Sequence, residues 1–447
     1  MPEDTLQSLQ SLNNNSTGSN NTVPTQSSSS QKPTNQKTNK PEETQKMKMY
    51  KKILYIVLGV LGVGIIVYFL FFYKTTLTIN TIPETAQIEI AGNVSTGSTQ
   101  IKLMPGDYKL KISQQGYVTY EKNIKAKPSQ KIALQVELKV QPDPARISNL
   151  PAKFSTLTED EKSLVFVSNQ DKAAHMVSHV NTDKISNPSV ITPPAVFSDV
   201  VNMLWGPTKR LAIIKTNDRN TGIYDFGRYD LINQEKIDFG PGIEGISFNS
   251  DGERIVYYYA PDTGEKTLIR AKKNNTEIER LIDLRNYNFI NPKVIWSHDD
   301  QNVLIITNEL YLFDMYYKTI EKLENIGTIS NADFTPDSTQ IIFEQEGQLK
   351  LCDLKGENIQ QTEIFTTLNK TTWFDENNLF YATKTANEAS DSLFEMSIRD
   401  FYKKEFDYNK SIFINVTNPI VSSDKNRLFF ESNGYLNFLN LVEKEYN

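Results

Sequence analysis

Residues 53–73 read ILYIVLGVLGVGIIVYFLFFY, an uncharged apolar run of 21 residues. As a helix it spans ~31 Å at 1.5 Å per residue, about the thickness of a bilayer's hydrocarbon core. A helix packed on a soluble protein keeps a polar face, and this run has none. Tyr55, Tyr68 and Tyr73 fall toward its ends, where amphipathic rings suit the headgroup zone. The lipid bilayer is therefore the expected partner of residues 53–73. The run lies deep in the chain, exceeds the h-region of a cleaved signal peptide, and has no A-x-A-like site after it. Lys46, Lys48, Lys51 and Lys52 precede it closely, whereas Lys74 is the one basic residue just after it. Positive charge stays on the cytoplasmic side, so the N-terminus is expected in the cytoplasm and residues 74–447 outside the membrane, extracellular or periplasmic. Gly59, Gly62 and Gly64 form no G-x-x-x-G pair and indicate no dimerising face.

Residues 1–52 are expected to be a disordered cytoplasmic tail. The first 45 are mostly Ser, Asn, Thr and Gln, with Leu6, Leu9 and Leu12 as the one apolar cluster, too little to offset ordering entropy. Charge divides unevenly at the membrane. Seven Lys against four acids make residues 1–73 carry +3, so the total of −6 leaves −9 on residues 74–447. That exterior argues against nucleic acid and other anionic polymers held by bulk electrostatics. One cysteine, Cys352, excludes a disulfide framework.

From Thr75 to Val140 apolar residues alternate with period two, most clearly at Ile132, Leu134, Val136 and Leu138. Turn chemistry interrupts the runs at Ala91-Gly92-Asn93, Pro105-Gly106-Asp107 and Gln115-Gly116-Tyr117. Five to seven short strands in so few residues predict a two-layer β-sandwich over residues 74–141. The segment resembles the PEGA domain family. The name-giving Pro-Glu-Gly-Ala stands as Pro83-Glu84-Thr85-Ala86, and Pro105-Gly106-Asp107-Tyr108 and Gly116-Tyr117 match the later Pro-Gly-x-Tyr and Gly-Tyr elements. Thr85 departs from the family glycine. The resemblance implies a non-catalytic extracellular β module of the kind common on prokaryotic surface proteins, and it carries over no binding residue.

Residues 146–447 repeat an apolar strand ending in an aromatic, a polar turn usually holding Asp, and a second apolar strand. Phe248-Asn249-Ser250-Asp251-Gly252, Trp296-Ser297-His298-Asp299-Asp300 and Phe334-Thr335-Pro336-Asp337-Ser338 are the clearest copies, and weaker ones begin at Phe154, Trp205, Trp373 and Ile420. The anchors are 51, 43, 48, 38, 39 and 47 residues apart, about one four-stranded propeller blade each. A blade has two apolar faces and cannot cover them alone, so blades stack in a ring; a solenoid of hairpins is the structural rival. Seven anchors predict seven blades. The last copy leaves little chain for an outer strand, so a strand near Arg146–Leu150 is expected to complete it and lock the ring. The Phe248–Tyr257 stretch resembles the WD-like repeat of TolB-type propellers, an aromatic followed by Ser-Pro-Asp-Gly, which implies an interaction scaffold. The predicted fold class is all-β behind one transmembrane helix.

Catalytic motifs are absent: the chain has no G-x-S-x-G elbow, P-loop or G-x-G-x-x-G. His175 and His179 sit four apart without the Glu of H-E-x-x-H, and on a strand they lie ~13 Å from each other, too far to share an ion. His298 falls in a repeat turn. Asp218–Asp225 has the alternating oxygens of a calcium loop but neither the acid before its glycine nor the distal Glu. Cys352 reads as a small buried hydrophobe. Trp205, Trp296 and Trp373 recur at one repeat position and read as blade-core anchors, not sugar platforms. No cofactor, metal or catalytic residue is expected. The reading is a membrane-anchored presenter of a propeller for an extracellular protein or glycan. Two rivals make different demands. An envelope polysaccharide hydrolase needs two carboxylates within ~5–10 Å at the propeller mouth, and a signalling receptor needs a docking partner for the tail.

Overall fold

The computed structural model describes residues 43–71, 73–179, 187–217, 224–385, 388–443 and 445–446, in two units, 1–69 and 70–447. Leu6, Leu9 and Leu12 lie outside the described residues. The first unit contributes one helix, Glu43–Phe71. It begins ten residues before the apolar run because Glu, Gln, Lys and Met all favour helix and no proline interrupts them. Residues 43–52, read from sequence as part of the disordered tail, are thus helical. Among the described residues Met49–Tyr68 is the one helix long and apolar enough to cross a membrane, and none of it is covered by protein.

In the second unit, seven strands between Thr75 and Glu137 make two small sheets. Thr75–Ile82 lies between Thr99–Leu103 and Lys131–Glu137, and Gln87–Ile90, Asn93–Thr96, Gly106–Ser113 and Tyr120–Ala126 form the other layer. Leu77, Ile79, Ile88, Ile90, Leu110 and Ile112 meet between them, the inward half of the period-two pattern.

Seven blades follow. Val200–Trp205 opens blade 2, Ile243–Phe248 blade 3, Lys293–Trp296 blade 4, Asn331–Phe334 blade 5 and Thr371–Trp373 blade 6. Each of these is followed by three antiparallel strands in sequence order. Blades 1 and 7 share a single strand of 13 residues, Ala145–Leu157. Its first half pairs with Tyr435–Asn440 of blade 7, and its second half begins blade 1 by pairing with Ser163–Ser168. The expected closing strand is therefore present. Ser155 N and Oγ donate to Glu431 Oε1, both at 2.8 Å, across the seam.

The sequence of each blade follows from its place in the ring. Second strands are covered on both faces, so alternation disappears: all five residues of Asn302–Ile306 are buried. Outer strands such as Glu235–Asp238 and Thr319–Lys322 return to polar residues. Seven apolar cores separate the blades, one between each neighbouring pair including 7 and 1. The first strands of blades 3 and 4 touch, and at Gly245 a Cβ would lie 2.2 Å from the Pro292 carbonyl oxygen, so these blades can approach only over a bare glycine.

The hairpins show why the repeat carries Asp. Thr158, Thr335 and Ser422 donate their hydroxyls to Asp160, Asp337 and Asp424, and the same carboxylates accept the amides of Lys162, Thr339 and Asn426. The residue four beyond the strand end has positive φ: Gly252 at 73°, but also Lys209 at 57°, Asp300 at 60°, Ser338 at 58°, and Glu161 and Lys425 at 53° and 58°. One copy in this set uses glycine. By this register the true anchors of blades 1 and 7 are Leu157 and Val421, shifted by three and one residues from Phe154 and Ile420.

Asp375 closes the blade 6 hairpin and ties it to blade 7. Burial alone would raise its pKa, but donation from Lys425, Asn378 and the Asn377 amide outweighs burial and holds it at about 2, below the ordinary 3.8. A depressed carboxylate contributes stability above its unfolded pKa and loses it as pH falls toward the folded value. Asp375→Asn is therefore expected to lower the urea midpoint at pH 6. That deficit should shrink to nothing between about pH 4 and pH 2, measured by paired urea titrations across that range.

The chain end joins the two β domains. Val442–Glu443 pairs with the outer strand of blade 6, and Glu445–Tyr446 adds in parallel to Tyr120–Ala126 of the sandwich. Gln141 Nε2 donates to Asp407 Oδ1 at 3.1 Å and Asn409 Nδ2 to Asp143 Oδ1 at 2.9 Å beside this crossing.

Candidate binding site

A cavity of about 630 Å³ opens on the axial side of the ring beside the first strands and hairpins of blades 2, 3 and 4, with Ile213, Lys215 and Phe226 of blade 2 and Asp333 of blade 5 also lining it. Its walls are apolar, with Leu204 and Trp205 from blade 2, Phe248 from blade 3, and Ile295 and Trp296 from blade 4. The tryptophans thus do two things: they pack in the inter-blade cores and they face the cavity. Trp205 Nε1 donates to the Phe154 carbonyl at 2.8 Å. Trp296, at the equivalent repeat position, is buried with its indole N–H unpaired.

Three lysines line the same space against one carboxylate, Asp333. Burial pushes the pKa of Lys209 down. It does the same to Lys215, where Glu244 opposes it, and the Lys215 ammonium stands 5.3 Å from the Phe226 ring centroid. Lys293 Nζ donates to Asn331 Oδ1 at 2.9 Å. His298, read as a turn residue, is exposed at the cavity's edge. The hydrolase reading requires an acid pair here, and the lining supplies a single acid.

A second cavity of about 990 Å³ lies at the hairpin ends of blades 1 to 3. Its charges largely satisfy one another. Arg210 grips Asp230 through Nε and Nη2 at 3.2 and 3.0 Å, Arg228 reaches Glu235 at 3.3 Å, and Lys273 reaches Glu253 at 2.6 Å. Lys209 borders both cavities.

The other residues singled out in the sequence are not brought together. His175 Nε2 meets the Asp171 carboxylate at 2.8 Å and its ring stacks on Phe166. His179 instead contacts the Glu161 carbonyl and Arg427. Among the described residues no group of three His, Cys, Asp or Glu is placed to hold a metal ion. Residues 218–223 of the calcium-like stretch lie outside the described residues. Cys352 is buried, and burial raises its pKa to about 12, so it is a protonated thiol at neutral pH. Trp373 sits between blades 5 and 6.

No curated protein matches the chain. Solved structures similar to it include TolB from Acinetobacter baumannii, with 13% identity, TM-score 0.37, and 59% of this chain and 62% of that one covered. An oligogalacturonate lyase from Vibrio parahaemolyticus shows 11% identity and TM-score 0.47 over 67% of this chain and 91% of that one. An oligogalacturonate lyase in complex with manganese shows 12% and 0.48 over 67% and 90%. The chain spans less than two thirds of that TolB, and at these identities the likeness is one of fold. Residues 74–142 match the PEGA domain family, the same segment that forms the two-layer sandwich, so this β module is a PEGA domain.

Proposed function

We propose that the protein is a single-pass membrane protein that presents a non-catalytic propeller to a protein or glycan partner outside the membrane. The observation that carries this reading is the helix Met49–Tyr68, uncovered by protein and uncharged from Ile53 onward, with lysines at its N-terminal end. Such a surface is stable in lipid and costly in water. The PEGA domain and the propeller are both β modules, which fits presentation of a binding surface. The single acid of the axial cavity also counts against hydrolysis by paired carboxylates.

The orientation is tested on intact cells carrying an epitope tag after Asn447. External protease is expected to remove the tag while a second tag before Met1 survives until the membrane is opened. A protected C-terminal tag, or recovery of the full chain in the soluble fraction, overturns the reading.

A further inference from the structure

We propose that the end of the PEGA domain carrying Thr75 rests on anionic phospholipid headgroups, held there by Lys102, Lys125, Lys127 and Lys131 around the exposed Met104. The proposal rests on the reading of residues 53–73 as a lipid-embedded anchor and adds a second, electrostatic contact to it.

Strand register brings the group together. Thr75 pairs with Leu103 and Thr76 with Lys131, and in the other sheet Gly106 pairs with Ala126 and Asp107 with Lys125. The loops 103–106 and 126–131 therefore lie at one end of the sandwich. Five lysines, counting Lys74, stand at that end against one acid, Asp107. Lys102, Lys125, Lys127 and Lys131 are exposed, and among the described residues no ion pair holds any of the four. Lys109, farther along its strand, is by contrast paired with Glu121 at 2.6 Å. Met104 stands among these lysines, 53% exposed, an adaptable apolar side chain.

The tether fixes where this end must be. Tyr73 is the last residue of the apolar run, and Thr75 starts the first strand two residues later, at most ~7 Å along an extended chain. The amide of Ser129, in the loop 126–131, donates to the Tyr73 carbonyl oxygen at 3.4 Å. With Tyr73 at headgroup level, the loops beside it fall within the ~8 Å over which charge acts at physiological salt.

Charge supplies the occupant. Nine lysines against five acids give residues 74–142 a charge of +4, so the −9 of residues 74–447 leaves −13 on residues 143–447. An anionic surface attracts the basic end and repels the propeller. Counting charges along the chain misses this, since Lys74 is the one basic residue among residues 74–93. The other lysines come from strands distant in sequence.

The test uses the full chain in nanodiscs of phosphatidylcholine alone or mixed 7:3 with phosphatidylglycerol, each doped with a headgroup-nitroxide lipid. Met104→Cys and Thr85→Cys are labelled separately with the dye NBD, and Cys352 is buried and stays unlabelled. Thr85 lies past the far end of strand Thr75–Ile82, ~23 Å away at ~3.3 Å per residue. In the mixed discs quenching is expected to be about twofold stronger or more at Met104 than at Thr85, and to fall about twofold at Met104 in neutral discs. Combining Lys102→Gln, Lys125→Gln, Lys127→Gln and Lys131→Gln should bring the mixed discs to the neutral level. Raising salt from 50 to 300 mM should act in the same direction by shortening the Debye length.

The proposal is overturned by equal quenching at the two positions, by equal quenching at Met104 in neutral and anionic discs, or by indifference to the four-lysine variant with an unchanged circular dichroism spectrum. Release of Met104 from the quencher by soluble poly(glycerol phosphate), at phosphate equal to the lipid's, overturns it too, in favour of a soluble polymer. Co-purification with the nanodiscs reports the anchor separately. A chain that enters the disc and shows equal quenching overturns this contact alone, whereas a chain left outside the disc overturns the anchor and the contact together. A protected C-terminal epitope tag removes the presentation role and leaves the lipid contact in place.

Discussion

Ile147→Asp in the full chain is expected to open the propeller at its seam and to cost about 3–5 kcal/mol of stability. Ile147 is buried in the strand shared by blades 1 and 7, packed with Leu157, Phe166, Phe429 and Phe438. The substitution removes an aliphatic side chain from that core and leaves a carboxylate there without a cation. A ring stacked only through neighbour contacts has two ends once one contact is lost, so the damage should spread from the seam. Two measurements report it: a lower urea midpoint by tryptophan fluorescence, and faster proteolysis around residues 141–152. An unchanged midpoint with unchanged proteolysis would show that the ring does not depend on this strand. Ile132→Asp, on the sandwich, serves as a comparison that should leave the propeller transition in place, because Ile132 packs in the other domain.

The second large effect is expected at Asp391, which is fully buried where blades 6 and 7 meet. Its carboxylate accepts Lys370 Nζ at 2.8 and 2.7 Å and the Val416 amide at 2.7 Å, while Lys370 also donates to Asn415 Oδ1 at 3.0 Å. Asp391→Ala leaves a mostly buried ammonium without its counter-charge, with Asn415 Oδ1 as a remaining acceptor, and a buried backbone N–H without its acceptor, a loss of about 3–5 kcal/mol. Asp391→Asn retains an acceptor and should lose less. Removing both charges, as Lys370→Met with Asp391→Leu, should recover part of the loss, since a buried pair is costly chiefly when one member is left behind. Urea titrations of the four proteins rank these losses. Equal stability of Asp391→Ala and the native chain would mean that water or a neighbouring group satisfies Lys370 without Asp391.

Both sites illustrate what was legible beforehand. The ring closure followed from counting: seven anchors, and a last copy with too little chain for its outer strand, called for a donor near Arg146–Leu150. Asp391 gave no such signal, because its partners Lys370 and Val416 belong to a short 3-10 turn and a connection that only the packing of two blades brings to it. The repeat registers divide in the same way. Blades 3, 4 and 5 were readable from Phe248, Trp296 and Phe334, whose hairpins carry Ser or Thr with Asp. Blades 1 and 7 were misplaced by three residues and one, because Leu157 and Val421 lack the aromatic that marks the position elsewhere.

By itself the sequence determined the features that act over one helix or one hairpin. An uncharged run of 21 residues can be stable only in an apolar medium. A Ser/Thr-x-Asp turn closes its own hairpin with bonds made inside five residues, and alternation declares which face of a sandwich strand is covered. Those requirements are local, so they are written locally. Only the tertiary structure decided that Lys209, Lys215, Lys293 and Trp296 line one cavity, that one of two equivalent indoles is left without an acceptor, and that the last residues cross to complete a sheet of the PEGA domain. The distances between these groups are set by how seven blades share a circumference, a geometric sum over the whole ring that no segment of the chain encodes alone.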